Sequence, residues 1–221
     1  MSFSGAVYGG AGYGRFLGAA RTAVNISAQL PNVVFTDGRV QAYLFGSGWG
    51  ERADGAKVLA EVAEQGLPAV VDADGLGYLP KPAPASWLLT PHAGELARLL
   101  ERERGWVEED PVRAVNAGAQ QTGATVLLKG ATQLVAAPNG GPVLVAVAGP
   151  AWTAQAGSGD VLGGVCAALL AAGVDAQRAG QLGASVQAVA AAEHPGVLAP
   201  QELARAIGQT LGRLEQRART R

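Results

Sequence analysis

Short apolar runs alternate with longer segments of helical periodicity along most of the chain, and glycine or polar residues separate them. The apolar runs predict strands at residues 6–8, 32–36, 40–45, 68–72, 87–90 and 125–129. The periodic segments predict helices at residues 17–26, 53–65, 94–103, 111–122, 161–172 and 176–193, and from residue 200 onward. This alternation predicts an α/β fold with a mostly parallel, doubly wound sheet flanked by helices.

A small hairpin is predicted after the last of these strands. Residues 133–137 and 142–146 are apolar, and Asn139-Gly140-Gly141 between them is a typical hairpin turn. In the last helix, the spacing of four apolar residues predicts one apolar stripe, which allows burial between subunits. They are Leu203, Ile207, Leu211 and Leu214.

Polar, loop-forming residues follow four of the predicted strands, at 46–50, 72–74, 90–95 and 129–130. In open α/β sheets, ligands bind at the carboxyl ends of the strands. The sequence therefore predicts a binding site at this edge of the sheet.

The composition narrows the class of protein. A length of 221 residues suits one domain or at most two, and 48% hydrophobic with 16% charged residues is typical of a globular protein. A net charge of −1 favours neither a nucleic acid nor a membrane as partner. The longest apolar run, 161–172, is too short to span a bilayer. The single cysteine, Cys166, and a start without a signal-peptide pattern lead us to expect a cytoplasmic protein.

The strongest chemical motif is Ala156-Gly157-Ser158-Gly159-Asp160, directly before the apolar run. Its glycines let backbone N–H groups converge, and a helix N-terminus adds partial positive charge, so the motif predicts an anion site. A carboxylate beside a bound phosphate suggests a base that takes a proton from an attacking hydroxyl, as in phosphoryl transfer. The alternative is that Asp160 simply caps a helix after an ordinary loop.

His92 and Glu95 lie three residues apart at a strand–helix junction. A zinc site would need a third ligand, and the only other histidine, His194, lies near a helix end, so zinc is disfavoured. A loop that hydrogen-bonds a substrate fits better. The alternative is a helix start with Glu95 in its first turn.

Two further strand ends carry charged residues with more than one interpretation. Lys129 can reach a phosphate as a point charge or be a solvated lysine. Asp72 and Asp74 can hold Mg²⁺ through water, accept hydroxyls, or form a polar turn with Gly75. Neither a dinucleotide-binding G-x-G-x-x-G motif nor a Walker A motif is present, which argues against a nicotinamide dehydrogenase.

Four sequence blocks resemble those of the ADP/ATP-dependent NAD(P)H-hydrate dehydratases, a family of the ribokinase-like superfamily, in order and approximate position. The blocks are VVDADGL at 70–76, LTPHAGE at 89–95, VLLKG at 126–130 and AGSGDVL at 156–162. The loop GSGWG at 46–50 resembles the family's G-P-G-L-G loop. Two departures are visible: residues 150–154 read P-A-W-T-A where the family has N-P-G-M-A, and residues 1–45 are compressed.

The resemblance implies a repair reaction within one ribokinase-like domain, 1–221, that lacks a fused epimerase domain. The family phosphorylates the ring hydroxyl of hydrated NADH or NADPH from ADP or ATP, and loss of phosphate restores the reduced cofactor. By resemblance, Asp160 is the base, and Gly157, Ser158, Gly159, Lys129 and Gly130 surround the nucleotide phosphates. His92, Glu95, Gly46, Gly48 and Asp72 line the substrate cleft. We expect Mg²⁺ to accompany the nucleotide and the protein to form a homo-oligomer.

Two other functions remain open from the residues. A ribokinase-like kinase for a small alcohol would use the same base and anion loop but stop at the phosphate ester. A non-catalytic nucleotide-binding relative is the second alternative, suggested by Pro150 and the compressed N-terminal part.

Overall fold

The computed structural model describes residues 1–220, apart from the side chain of Arg21. The helices are Ser2–Tyr8 (α1), Ala20–Gln29 (α2), Gly55–Glu64 (α3), Ala93–Leu99 (α4), Arg104–Glu109 (α5), Pro111–Thr122 (α6), Ser158–Ala171 (α7), Ala176–Ala192 (α8) and Pro200–Arg219 (α9). The strands are Gly14–Arg15 (β1), Val33–Val34 (β2), Tyr43–Phe45 (β3), Ala69–Val71 (β4), Leu88–Leu89 (β5), Thr125–Leu128 (β6), Leu134–Ala136 (β7) and Leu144–Val145 (β8).

The central sheet runs in the order β3-β4-β5-β6-β7-β8, and the separate pair β1-β2 is parallel. Strands β3 to β6 pair in parallel, while β7 and β8 are antiparallel and form the predicted hairpin. The strand order therefore increases along the chain without the reversal that doubly wound sheets usually have. Both faces are nevertheless covered by helices, as the alternating pattern predicts.

Neighbouring residues of each buried strand point to opposite faces and so belong to different cores. Val71 and Leu89 pack with helices α3, α4 and α6 on one face. Val70 and Leu88 pack with α7 and α8 on the other. A third cluster joins α7, α8 and α9, where Leu203 and Ile207 are fully buried; Leu214, the fourth residue of the predicted stripe, is 45% exposed.

Helix α7 is apolar on all sides because it lies between the sheet and the other helices. Its Cys166 is fully buried, and burial, with the nearby charge of Asp72, raises the pKa of the thiol to about 12. Within residues 1–220, none of the helices combines the length and apolar character that crossing a membrane requires.

Several predicted boundaries are confirmed where the sequence has clear start and stop signals. Helix α6 covers the predicted residues, with Pro111 in its first turn and Gly123 ending it in the left-handed conformation at φ 81°. Helix α3 likewise ends before Gly66, which has φ 69°.

The strand predicted at residues 6–8 is wrong, because this segment is the end of helix α1. Its Gly5 and Gly9 let the helix lie directly against α7: a Cβ at position 5 would lie 2.1 Å from the carbonyl oxygen of Val161. Tertiary packing thus overrides the local β propensity of Val7 and Tyr8.

The helix predicted at 94–103 ends earlier, at Leu99, and α5 was not predicted. The cause is a left-handed residue, Glu101 at φ 54°, whose neighbour Arg102 donates its N–H back to the carbonyl of Ala97. This is a Schellman-type ending, which glycine normally signals and glutamate does not.

Candidate active site

The predicted anion loop is a tight turn at the N-terminus of α7. Gly157 precedes the helix in the left-handed conformation, φ 94°, and Asp160 lies in the first turn. The Ser158 hydroxyl donates to the carbonyls of Thr153 and Gln155, at 2.6 and 2.9 Å, and so holds the loop from behind. The Ser158 N–H is also used inside the loop, donating to Gln155. The N–H groups of Gly159 and Asp160 belong to the first turn, where helix geometry provides no partner, so they are the ones available to an anion.

Residues 150–154, which depart from the family pattern, support this loop through their carbonyl groups. Pro150 begins the short 3₁₀ turn Ala151–Thr153, and the Thr153 N–H and hydroxyl both donate to its carbonyl. This 3₁₀ turn also places the Thr153 carbonyl where it accepts the hydrogen bond from the Ser158 hydroxyl. In this chain, backbone carbonyls of this segment therefore help to anchor the anion loop.

The Asp160 carboxylate faces the glycine loop 46–50. The hydroxyl of Ser47 donates to Oδ1 of Asp160 at 2.5 Å. Ser47 lies between two glycines with positive φ, Gly46 at 105° and Gly48 at 68°. Sequence reasoning missed the role of Ser47, because its partner is 113 residues away.

The glycine loop is fixed to the end of β4. A Cβ at Gly46 would lie 1.7 Å from the carbonyl oxygen of Asp72, so only glycine fits there. The N–H of Gly50 donates to Oδ2 of Asp74 at 2.8 Å. Asp74 therefore has a role in the loop structure: its carboxylate accepts this hydrogen bond and closes the glycine loop 46–50.

A buried charge cluster lies next to the anion loop. Nζ of Lys129 is 2.7 Å from Oδ1 of Asp72 and 3.9 Å from Oε2 of Glu95. The Lys129 and Asp72 side chains are only 20% and 6% exposed. A Cβ at Gly159 would lie 3.4 Å from the same Nζ, which places the ammonium beside the first turn of α7. The solvated-lysine alternative for Lys129 is therefore wrong.

His92 and Glu95 form a capping box at the start of α4. Nδ1 of His92 accepts from the N–H groups of Gly94 and Glu95, and Oε2 of Glu95 accepts from the N–H of His92. Nδ1 therefore carries no proton, which leaves Nε2 as the donor of the neutral ring. Nε2 lies 3.5 Å from Oε1 of Glu95, and the His92 side chain is 57% exposed. The prediction that Glu95 lies in the first turn of a helix is confirmed. The capping box also holds the Glu95 carboxylate near Lys129.

A cavity of about 240 Å³ opens next to this cluster, on the other side of Gly130. Its wall includes Gly149, Pro150 and Gln187. Gln187 is 6% exposed and donates to the carbonyl of Ser158 at 2.9 Å, so it links the cavity wall to the anion loop. Sequence reasoning missed Gln187; a glutamine at a buried position of the alanine-rich helix α8 is the signal that points to it.

The carboxyl ends of the strands thus bring together most of the predicted site residues. Asp72, Lys129, Glu95 and His92 form one cluster, and Asp160 and Gly159 adjoin it from α7. In the part of the chain that the structure describes, no three His, Cys, Asp or Glu side chains are arranged to hold a metal ion. The groups that the site brings together are the Asp160 carboxylate, the first-turn N–H groups of α7 and the Lys129 ammonium.

Comparison with known proteins places the chain in a family. A family model described as NAD(P)H-hydrate dehydratase matches residues 2–211. The chain belongs to this family. It is 43% identical over 200 residues to the bifunctional NAD(P)H-hydrate repair enzyme Nnr of Mycobacterium leprae, covering 85% of this chain and 41% of that protein. It is 38% identical over 162 residues to the ADP-dependent (S)-NAD(P)H-hydrate dehydratase of Neisseria meningitidis, covering 69% of this chain and 54% of that protein.

This member of the NAD(P)H-hydrate dehydratase family thus spans less than half the length of the mycobacterial relative. Among solved structures, it resembles the Bacillus subtilis ADP/ATP-dependent NAD(P)H-hydrate dehydratase co-crystallised with ATP and Mg²⁺ and soaked with CoA. The TM-score is 0.85, with 20% identity, over 96% of this chain and 85% of that one. A ribokinase-like superfamily protein of Enterococcus faecalis gives a TM-score of 0.81 at 19% identity, over 96% and 81% of the two chains. The fold is therefore ribokinase-like.

Proposed function

We propose that this protein catalyses nucleotide-dependent dehydration of hydrated NADH and NADPH, which returns them to the reduced cofactors. The observation that carries the proposal is the position of Asp160, in the first turn of α7 beside the anion loop and next to the Lys129 cluster. Family membership supplies the substrate class.

In the proposed first step, Asp160 takes the proton of the ring hydroxyl, and the oxygen attacks the terminal phosphoryl group of ADP or ATP. A P–O bond to the substrate forms while the P–O bond to AMP or ADP breaks. The free N–H groups of the α7 first turn and the Lys129 ammonium stabilise the negative charge on the transferred group.

In the second step, the phosphate ester leaves as inorganic phosphate. The C–O bond breaks with its electron pair leaving on phosphate, the neighbouring ring carbon loses a proton to water, and the electrons of that C–H bond restore the double bond of the dihydronicotinamide. We propose that His92, through its Nε2 donor, together with Glu95, Asp72 and the loop at Gly46 and Gly48, faces the ring during both steps.

The cavity beside Gly130 is the place we propose for the nucleotide base, with its phosphates directed to the anion loop. The Gln187 link between the cavity wall and the loop supports this arrangement. Mg²⁺ bound with nucleotides is normally held by phosphates, water and one or two carboxylates. Asp72 is a carboxylate close to the loop, since a Cβ at Gly159 would lie 3.8 Å from its Oδ2, and we propose that Mg²⁺ enters with the nucleotide.

The test is the recovery of dihydronicotinamide absorbance from hydrated NADH, with and without ADP or ATP. We expect recovery only with nucleotide, and a loss of at least about 100-fold in Asp160→Asn, the scale of removing a general base. Asp175→Asn is the matched control, because Asp175 lies beyond the opposite end of α7, about 20 Å away by helix length, and asparagine keeps its capping role.

Product analysis distinguishes the alternatives. A stable phosphorylated product would identify a kinase instead, and nucleotide binding without turnover, unchanged in Asp160→Asn, would identify a non-catalytic relative. Absence of recovery with either nucleotide would overturn the proposed function.

We also propose that the protein acts in the cytoplasm as a homo-oligomer. Exposed apolar side chains near the N-terminal sheet support association, among them Leu17 and Val24 at 56% and 68% exposure. Light scattering coupled to size exclusion tests the assembly; a monomer at all concentrations would contradict it.

A further inference from the structure

We infer that Ser47 is a positioning residue that orients the Asp160 carboxylate for proton transfer; the inference rests on the function proposed above. The observation is the hydrogen bond from the Ser47 hydroxyl to Oδ1 of Asp160. It connects the glycine loop after β3 with the first turn of α7.

The hydrogen bond restricts the orientation of the Asp160 carboxylate. An aspartate side chain at the start of a helix has several accessible rotamers, and only some direct a lone pair into the cleft. The bond from Ser47 uses one lone pair of Oδ1 and favours one rotamer, and we assign Oδ2, which keeps both of its lone pairs, to the substrate hydroxyl. Fixing a reacting group in one orientation lowers the barrier of the chemical step without altering nucleotide affinity.

The loop that carries Ser47 is anchored well enough to position a partner. Gly46 is held against the Asp72 carbonyl, and Gly50 donates to Asp74 on the same strand end. The N–H of Trp49 also donates to the carbonyl of Gly46 at 3.2 Å. Ser47 is therefore presented by a closed turn fixed at both ends, in which Gly46 is buried and Ser47 is exposed.

The serine that makes this contact is a departure from the loop pattern that this segment resembles. The loop of the family pattern, G-P-G-L-G, has proline at the position of Ser47, and proline has no side-chain donor. A serine here adds a hydrogen bond to the base that the general pattern does not provide.

The test is steady-state recovery of NADH from its hydrate by the native chain, Ser47→Ala and Ser47→Thr. We expect Ser47→Ala to lower kcat about fivefold to twentyfold, the scale of one positioning hydrogen bond, with nucleotide KM within about twofold. Ser47→Thr keeps the hydroxyl and should restore kcat to within about threefold of the native chain. Ser27→Ala, which removes an exposed serine hydroxyl on α2, is the matched control.

A double variant separates positioning from other roles. Ser47→Ala should cost little when added to Asp160→Asn, because the two residues act as a unit. Unchanged or increased kcat in Ser47→Ala, or a raised substrate KM with unchanged kcat, would overturn the inference while leaving the proposed function intact. A native chain without any recovery would overturn the proposed function, and the inference with it.

Discussion

Lys129 is the residue whose charge holds the two halves of the candidate site together. Its ammonium contacts the buried carboxylate of Asp72 at the end of β4 and lies against Gly159 of α7. Removing one partner of a buried ion pair leaves an uncompensated charge, which costs more than removing both.

We therefore predict that Lys129→Met lowers the free energy of unfolding by roughly 3 kcal/mol. The double variant Asp72→Asn/Lys129→Met should recover part of this loss, because the Asp72 carboxylate no longer remains buried without its ammonium partner; the recovery is only partial, since Glu95 also lies 3.9 Å from Lys129. Urea denaturation of the native chain, both single variants and the double variant measures the coupling. Strictly additive losses would show that the pair does not interact energetically.

The site residues could be predicted from sequence to the extent that local motifs define them. Asp160, Lys129 and Asp72 were found because each follows a strand or glycine loop at the expected edge of the sheet. Ser47 and Gln187 were not, because each acts through a contact with the anion loop from a segment remote in sequence. Such contacts depend on the final crossing of elements and not on any local pattern.

At the scale of elements, the crossing of α1 over α7 depends on glycine. A Cβ at position 164 would lie 2.0 Å from the carbonyl oxygen of Ser2, and one at position 5 would lie 2.1 Å from that of Val161. Both obstacles are backbone atoms, which cannot rotate away. The helices can approach this closely only while both positions lack side chains.

We predict that Gly164→Ala lowers the free energy of unfolding by about 1–3 kcal/mol, because the new methyl group forces α1 away from α7. The control is Gly212→Ala on α9, where a Cβ meets no atom within 4 Å. There alanine should stabilise the helix by up to about 1 kcal/mol, since glycine is the poorer helix former. Equal effects of the two substitutions in urea denaturation would contradict this account of the crossing.

Each element could be predicted only as far as its own residues carry a local signal. Helix α6 was predicted correctly because Pro111 and Gly123 mark its ends. Helix α1 was mistaken for a strand because its conformation depends on packing against α7. Strand β1 is only two residues long, Gly14–Arg15, and was not predicted because it leaves almost no periodic signal, whereas its partner β2 lies within the strand predicted at 32–36.

At the scale of the whole molecule, the cores are linked through shared elements. Adjacent residues of β4 belong to different clusters, and α7 contributes Leu162 to one cluster and Val165 to another. Elements that share side chains in this way cannot unfold independently. We therefore expect residues 1–220 to unfold in one cooperative transition.

A ligand that binds the folded site must then stabilise the whole molecule. At a nucleotide concentration of 100 times the Kd, binding adds about 2.7 kcal/mol, which corresponds to a rise in Tm of about 5–10 °C for a domain of this size. Asp160→Asn should show the same rise, because Asp160 acts on the substrate hydroxyl, whereas Lys129→Met should show a smaller one. Thermal melts with ADP or ATP and Mg²⁺ measure both. Two melting transitions, only one of which shifts with nucleotide, would contradict a single cooperative unit. A rise in Tm that is lost in Asp160→Asn but kept in Lys129→Met would contradict a phosphate site at Lys129.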